Sequence, residues 1–549
     1  MTHTFPASTG TFPIRQNRLA LAVILFLAIM ARSWILFSSP LMPGINGAYY
    51  LVQARSILTH GTLGIPDLPL TFYIQAALAW LIQNLTGVEP DKAIILAVKS
   101  AEAILPAFVA LPVYSLVRRW GLNAQAPSWL AIAAAAMAAL NAPILSVTGD
   151  FEKNLLGIVW LALFLLCLNS WIEKPSLKHA AGVVLCWGLI GLTHIGVFGA
   201  SLVFGGLTIL LFIVTQRKSA WNALWPLLIC AIVAVLLAMS LVFLKFDAQR
   251  VLRLSNALTH PADFMTSDKM RPPGGPPGMP GGMPHGGPPF FLIFSMLPSL
   301  LFGIIAIAAL LRCWRLRAIL PGNVLCVAGA CAAGVLILTG PWVSGDKSMR
   351  FGIICIIPAL LAGMFELVYW SRTQLRTVIT SVFLLGLIGP LPFVLAHGAH
   401  PVLNDEKFQE LRSLAPLIPH PDRTLIVARH GLEWWVAWTL HTHIAHGNSV
   451  QASDWHSFDQ VIFLRSKHDD FPGTPSGTRP PPPAGAESSA QMPPEHHSEA
   501  PDHRPDPHEN PMAQPEIPSS ATILHDGRNF ILGKVPSLPA DLTERSIQP

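Results

Sequence analysis

The chain has 549 residues, 52% hydrophobic and only 12% charged, with a formal net charge of +5 and a mean hydropathy of +0.49. Soluble domains carry about 25% charged residues, so this composition excludes a soluble globular chain and points to a polytopic membrane protein. The small positive charge is spread between apolar stretches, where it speaks to topology and not to nucleic acid.

Arg15 and Arg18 precede an apolar run over residues 19–37. No small-x-small cleavage site follows, so the run reads as an uncleaved first span. About eleven spans are expected, roughly at 19–38, 93–117, 127–146, 154–172, 181–195, 197–215, 220–244, 290–311, 320–340, 351–371 and 375–396. With a cytoplasmic N-terminus, the basic clusters Arg118/Arg119, Lys174/Lys178, Arg217/Lys218, Arg312/Arg315/Arg317 and Arg372/Arg376 all fall on the cytoplasmic side. That pattern holds only if residues 70–85 form an interfacial helix that does not cross.

The expected architecture is therefore a polytopic α-helical membrane domain over 1–397, followed by a small extracytoplasmic α/β domain over 398–549. The first outer loop runs over 39–92. A second, over 245–289, ends in a stretch where fifteen of eighteen residues are Pro or Gly, which cannot bury a core. Strand-like runs at 424–428, 460–464 and 530–535 flank a Pro-rich insertion at 469–518 that reads as disordered. The seven cysteines lie in or beside apolar segments without CxxC spacing, so they are packing residues.

Ionisable residues at membrane depth are expensive and point to function. Asp150 and Glu152, in SVTGDFEKN, occupy a short outer loop, where two carboxylates suit a divalent cation (Mg or Mn) or a general base. The alternative is that Asp150 caps a helix. Arg350 opens the tenth span and suits a phosphate bidentately; Arg32 and Lys99 sit near the same level as further phosphate ligands, although Lys99 and Glu102 are spaced to neutralise one another. His194 and Asp346 are further candidates. In the first outer loop Asn46, Tyr50, Arg55 and Asp67 stand out, Asp67 as a ligand or base. The histidines at 430, 441, 443 and 446 match no defined ligand set.

These residues resemble the membrane glycosyltransferases of the GT-C fold, and among them the oligosaccharyltransferase catalytic subunits. NGAYYLVQAR from Asn46 to Arg55, followed by a Pro-containing step and an interfacial helix, is similar to the family's first outer loop. SVTGDFEKN resembles its second acidic motif, and Arg350-Phe351 ahead of Ile357-Pro358-Ala359 resembles the arginine-led span that contacts the lipid phosphate. RHGLEWWVAW loosely resembles the tryptophan-rich acceptor motif, with Glu433-Trp434-Trp435 in inverted order. Where the family has an aspartate in the first outer loop, this chain has Asn46, whose amide is no base. Asp150 or Glu152 then does all the acid-base work, or Asp67 substitutes.

The resemblance implies inverting transfer of a sugar or oligosaccharide from a polyprenyl-phosphate-linked donor to a protein, glycan or lipid acceptor at the outer face of the inner (plasma) membrane. A secondary transporter and a non-catalytic relative that binds lipid or a partner are the competing readings.

Overall fold

The structure is a computed structural model that describes residues 14–215, 224–233, 289–343, 345–398, 400–445, 450, 455, 457–467 and 514–535. The chain divides into two compact units, Met1–Ser267 with Phe290–Pro401, and Asp268–Pro289 with Val402–Pro549. The division falls a few residues beyond the expected 397/398, because the Gly44 N–H donates to the His400 carbonyl at 3.1 Å and Gly44 bridges to Pro401. The expected loop at 245–289 lies outside the described residues, apart from Pro289.

In the first unit the helices are α1 (Ile14–Phe37), α2 (Gly47–His60), α3 (Leu70–Thr86), α4 (Pro90–Ile104), α5 (Ala110–Asn123), α6 (Trp129–Ala139), α7 (Ala142–Leu145), α8 (Glu152–Glu173), α9 (Leu177–Thr193) and α10 (Ile195–Thr215). They continue with α11 (Leu224–Val233), α12 (Pro289–Leu316), α13 (Gly322–Thr339), α14 (Gly345–Val368), α15 (Thr373–Ile388) and α16 (Leu391–His397). Pro106, which has no N–H to donate, marks a 3-10 turn between α4 and α5. Among the described helices, seven are long and apolar enough to cross a membrane, against the eleven spans expected; α6 with α7, α9 and α11 are shorter apolar helices. This is a multi-pass membrane protein.

Burial sorts the helices into centre and rim. The apolar stretch of α14 is 89% buried and those of α8 and α13 are 72% buried, whereas that of α1 is 33% and that of α15 with α16 is 11%. Leu19, Val23, Phe26, Met30 and Trp34 form an exposed apolar stripe at helical spacing along α1, a face for lipid. Polar side chains inside the bundle find one another. Asn169 accepts from Trp120 Nε1 at 3.1 Å and from Asn323 Nδ2 at 3.4 Å, and Arg312 pairs with Glu366 at 2.6 Å.

The second unit contains α17 (Asp405–Ser413), α18 (Leu432–Leu440) and a five-stranded sheet of β1 (Thr424–Val427), β2 (His443–Ile444), β3 (Gln460–Ser466), β4 (Thr522–Asp526) and β5 (Phe530–Val535). The strand order is β2-β1-β3-β5-β4, parallel from β2 to β3 and antiparallel from β3 to β4. The three predicted strands form its middle; β2, only two residues long, and the half-exposed β4 are edges with little apolar signal. The insertion expected to run to 518 stops earlier. Gln514 accepts the Ser466 N–H at 3.2 Å, and Ile517 packs on the sheet's core. The tryptophans of α18 are interior residues, with Trp435 edge-on to Phe408 at 5.6 Å.

Candidate active site

The candidate site begins where two turns touch. Gly44 (φ +84°) and Gly149 (φ +91°) both adopt left-handed backbone. A Cβ on Gly44 would lie 2.9 Å from that of Asp150, and one on Gly149 would lie 2.6 Å from Pro43 Cγ. Only glycine permits both the dihedral and the approach. The turns are thereby held so that Asn46 donates twice to one oxygen of Asp150, from its backbone N–H and from its side-chain amide, each at 2.9 Å. The reading of Asp150 as a helix cap fails: Phe151 occupies the cap position of α8, without a side-chain bond. Asp150 is half-buried.

Around this contact the segment from α2 to α3 is tied down by buried polar groups. Asp67 accepts from the Tyr49 hydroxyl and forms an ion pair with Lys153. The Lys153 ammonium stands over the rings of Tyr49 and Phe72 at 5.3 and 5.4 Å. Gln53 donates to the Ile65 carbonyl at 2.7 Å and accepts the N–H groups of Gly64 and Ile65 at 3.0 and 3.1 Å, fixing the step that leads to Asp67. The Tyr50 hydroxyl accepts the Lys153 N–H at 3.4 Å. Burial, then the charge of Glu152, pushes the Tyr50 phenol well above its ordinary value, so it stays neutral. Arg55 is paired with Asp91 at 3.2 Å.

Beneath the turns lies a second carboxylate layer. Glu152 is buried and accepts from Gln75 of α3. Glu102 of α4 is also buried, accepts the Gly149 N–H and interacts by charge with Arg32. Arg32 is fully buried and donates to Thr148 at 3.2 Å. Lys99, equally enclosed, does not neutralise Glu102; its ammonium donates to the carbonyls of Ser39 and Pro40 at 2.6 and 3.2 Å. Both cations are enclosed, although Arg32 keeps Nε and one terminal nitrogen without a partner among the described residues.

Arg350 heads α14. It is exposed, and its guanidinium lies 5.9 Å from the ring centre of Phe151, between Asp150 and Glu152 in sequence. His194 is a helix cap: its Nδ1 accepts the Val197 N–H at 3.2 Å at the start of α10. The side chain of Asp346 lies outside the described residues.

Among the described residues, no three His, Cys, Asp or Glu side chains converge as a metal-binding group. A cation shared by Asp150 and Glu152 does not fit their settings, since one Asp150 oxygen faces two Asn46 donors, Glu152 Oε2 accepts from Gln75, and the cavity that Glu152 lines does not include Asp150. Sequence reasoning passed over Lys153, Gln53, Gln75 and Thr71. Their one signal was a polar residue on an otherwise apolar helix.

No family model and no curated protein matches the chain. Among solved structures, it is similar to the archaeal oligosaccharyltransferase AglB from Archaeoglobus fulgidus in complex with an inhibitory peptide and a dolichol-phosphate. The TM-score is 0.52 at 14% identity, over 82% of this chain and 69% of that one. ArnT from Cupriavidus metallidurans bound to undecaprenyl phosphate matches with a TM-score of 0.47 at 14% identity, over 83% of this chain and 94% of that one. The likeness to AglB shows the fold: the chain has the GT-C architecture, with a small C-terminal sheet domain.

Proposed function

We propose that this protein transfers a sugar or oligosaccharide from a polyprenyl-phosphate-linked donor to a protein, glycan or lipid acceptor at the extracytoplasmic face of the plasma membrane, with inversion. The observation that carries the reading is the meeting of three distant segments. Asn46 holds Asp150 from the first outer loop, and Arg350 stands over the neighbouring Phe151 from α14. Catalysis needs an anion holder and a base at one locus. Arg350 would hold the donor phosphate and stabilise the charge it gains on leaving. Asp150, less buried than Glu152, would take the proton from the acceptor as the acceptor atom bonds to the anomeric carbon and the bond to phosphate breaks. Arg32 and Lys99 have no phosphate role here, because both are enclosed by protein groups. A divalent cation between Asp150 and Glu152 is left out of the mechanism on the donor geometry above.

The test is transfer from radiolabelled polyprenyl-phosphate sugars by the purified chain in nanodiscs. Donor turnover that Asp150→Asn abolishes supports the reading, and wild-type turnover in that variant overturns it. Cysteines placed at Pro69 and at Val88 should both be labelled from outside, which tests the assignment of the site to the outer face.

A further inference from the structure

Four oxygens converge on the carboxylate layer beneath the turns without any hydrogen-bond partner among the described residues: Thr71 Oγ1, Gln75 Oε1, Glu102 Oε1 and Glu152 Oε1. Their residues are 1–4% exposed, and all four line one cavity of about 10 Å³, closed on its apolar side by Ala101, Leu105, Pro106 and Leu156. That space suits one water molecule or one bare ion. Thr71 and Gln75 are one helical turn apart on α3, so three helices, α3, α4 and α8, each contribute polar side chains to the lining of one cavity.

A buried acceptor without a donor is costly, and two carboxylates sharing one small cavity are costlier still. Gln75 cannot supply the missing donor, because its NH₂ group is already directed to the other oxygen of Glu152. Arg32 interacts with Glu102 by charge but lines no part of the cavity. A water and the Thr71 hydroxyl together offer only three donors to the four oxygens and leave both carboxylate charges in place. A cation satisfies all four oxygens and offsets the carboxylate charge.

We infer that Thr71, Gln75, Glu102 and Glu152 bind a single small hard cation that locks the interfacial helix α3 to α4 and α8. Two carboxylates, an amide oxygen and a hydroxyl make an oxygen-only set, which selects hard ions over zinc or copper. The space leaves no room for the waters that Mg²⁺ retains, so the ion is Na⁺ or Ca²⁺, shed of its hydration shell. The site is distinct from the Asp150 and Asn46 contact, since neither residue lines the cavity.

The test needs no sugar donor, so its failure is separate from failure of the transfer reading. Purified full-length protein in nanodiscs is freed of metal with a chelator, exchanged into choline chloride, and titrated separately with Na⁺, Ca²⁺ and Mg²⁺. Na⁺ or Ca²⁺ should raise the unfolding temperature by about 5 °C at a hundredfold excess over its Kd. Calorimetry should count one ion per chain. Glu102→Gln should weaken that ion's binding at least tenfold, and the milder Thr71→Ala, which removes no charge, should weaken it several-fold if the first variant does not fold. Equal unfolding temperatures in all salts, or a cation response unchanged in both variants, would overturn the inference and leave a water or a shared proton in the cavity.

Discussion

The guanidinium of Arg350 and the ring of Phe151 lie 5.9 Å apart, although 199 positions separate them in the chain. The contact brings the exposed arginine at the head of α14 to the acidic motif at the head of α8. Replacing Arg350 by Lys keeps the charge but loses the planar fork. KM for the lipid donor should rise about tenfold with a smaller change in kcat, as expected for lost binding common to ground and transition states. Steady-state kinetics against donor concentration checks this.

Asp150→Asn should lower turnover by roughly 10²-fold or more, the scale of a lost general base. The amide oxygen introduced by that change would still accept from Asn46, so the unfolding temperature should change little. Loss of activity together with loss of fold would assign Asp150 a structural role instead.

Asn46→Asp is the telling reversal. The sequence resemblance leads one to expect that restoring the family's aspartate preserves or improves activity. The structure opposes this, because the new carboxylate would replace an amide donor and face the Asp150 oxygen that it now bonds. The variant should lose about 1–3 kcal/mol of stability. Added Mn²⁺ should recover part of it by bridging the two carboxylates, a recovery the parent protein should not show. Thermal unfolding with and without the ion decides.

Lys153→Met should strand Asp67, whose side chain is 2% exposed, at a cost of about 3–5 kcal/mol. The double variant with Asp67→Asn should recover much of that loss, since no charge is then left buried. Unfolding temperatures of the two single variants and the double variant give the coupling directly.

In the C-terminal unit, burial pushes the Glu410 carboxyl up, but hydrogen bonds from Asn529, the Phe530 N–H and His525 outweigh it and hold the group below its ordinary value. A lowered carboxyl stabilises the fold above the pKa of the unfolded chain, and the stabilisation is lost as pH falls through the folded value. Glu410→Gln should therefore destabilise the unit at pH 7 and be indistinguishable from the parent at the acid end of a pH series followed by circular dichroism.

Much of this was legible in the sequence. Apolar runs located helices at the expected segments, although fewer are long enough to span than expected, and β-branched runs located the three inner strands, because period and hydropathy are local signals. Asp150, Asn46 and Arg350 were singled out by residue type and position relative to the bundle's outer end. What stayed hidden depends on packing. Lys153 reads as one more helical lysine until Asp67 is seen beneath it, and Lys99 and Glu102 look like a neutralising pair until their side chains are found turned to different partners. The burial of the α18 tryptophans likewise follows from where α18 and α17 pack, not from the order of Glu433, Trp434 and Trp435.

The interlocked glycines constrain how the protein is made. Gly44 and Gly149 admit no atom between their turns, so the turn at Gly44 cannot reach its final packing before the turn at Gly149 has been synthesised. Arg350 emerges some two hundred residues later. A nascent chain that ends before Arg350 would lack the Arg350–Phe151 contact.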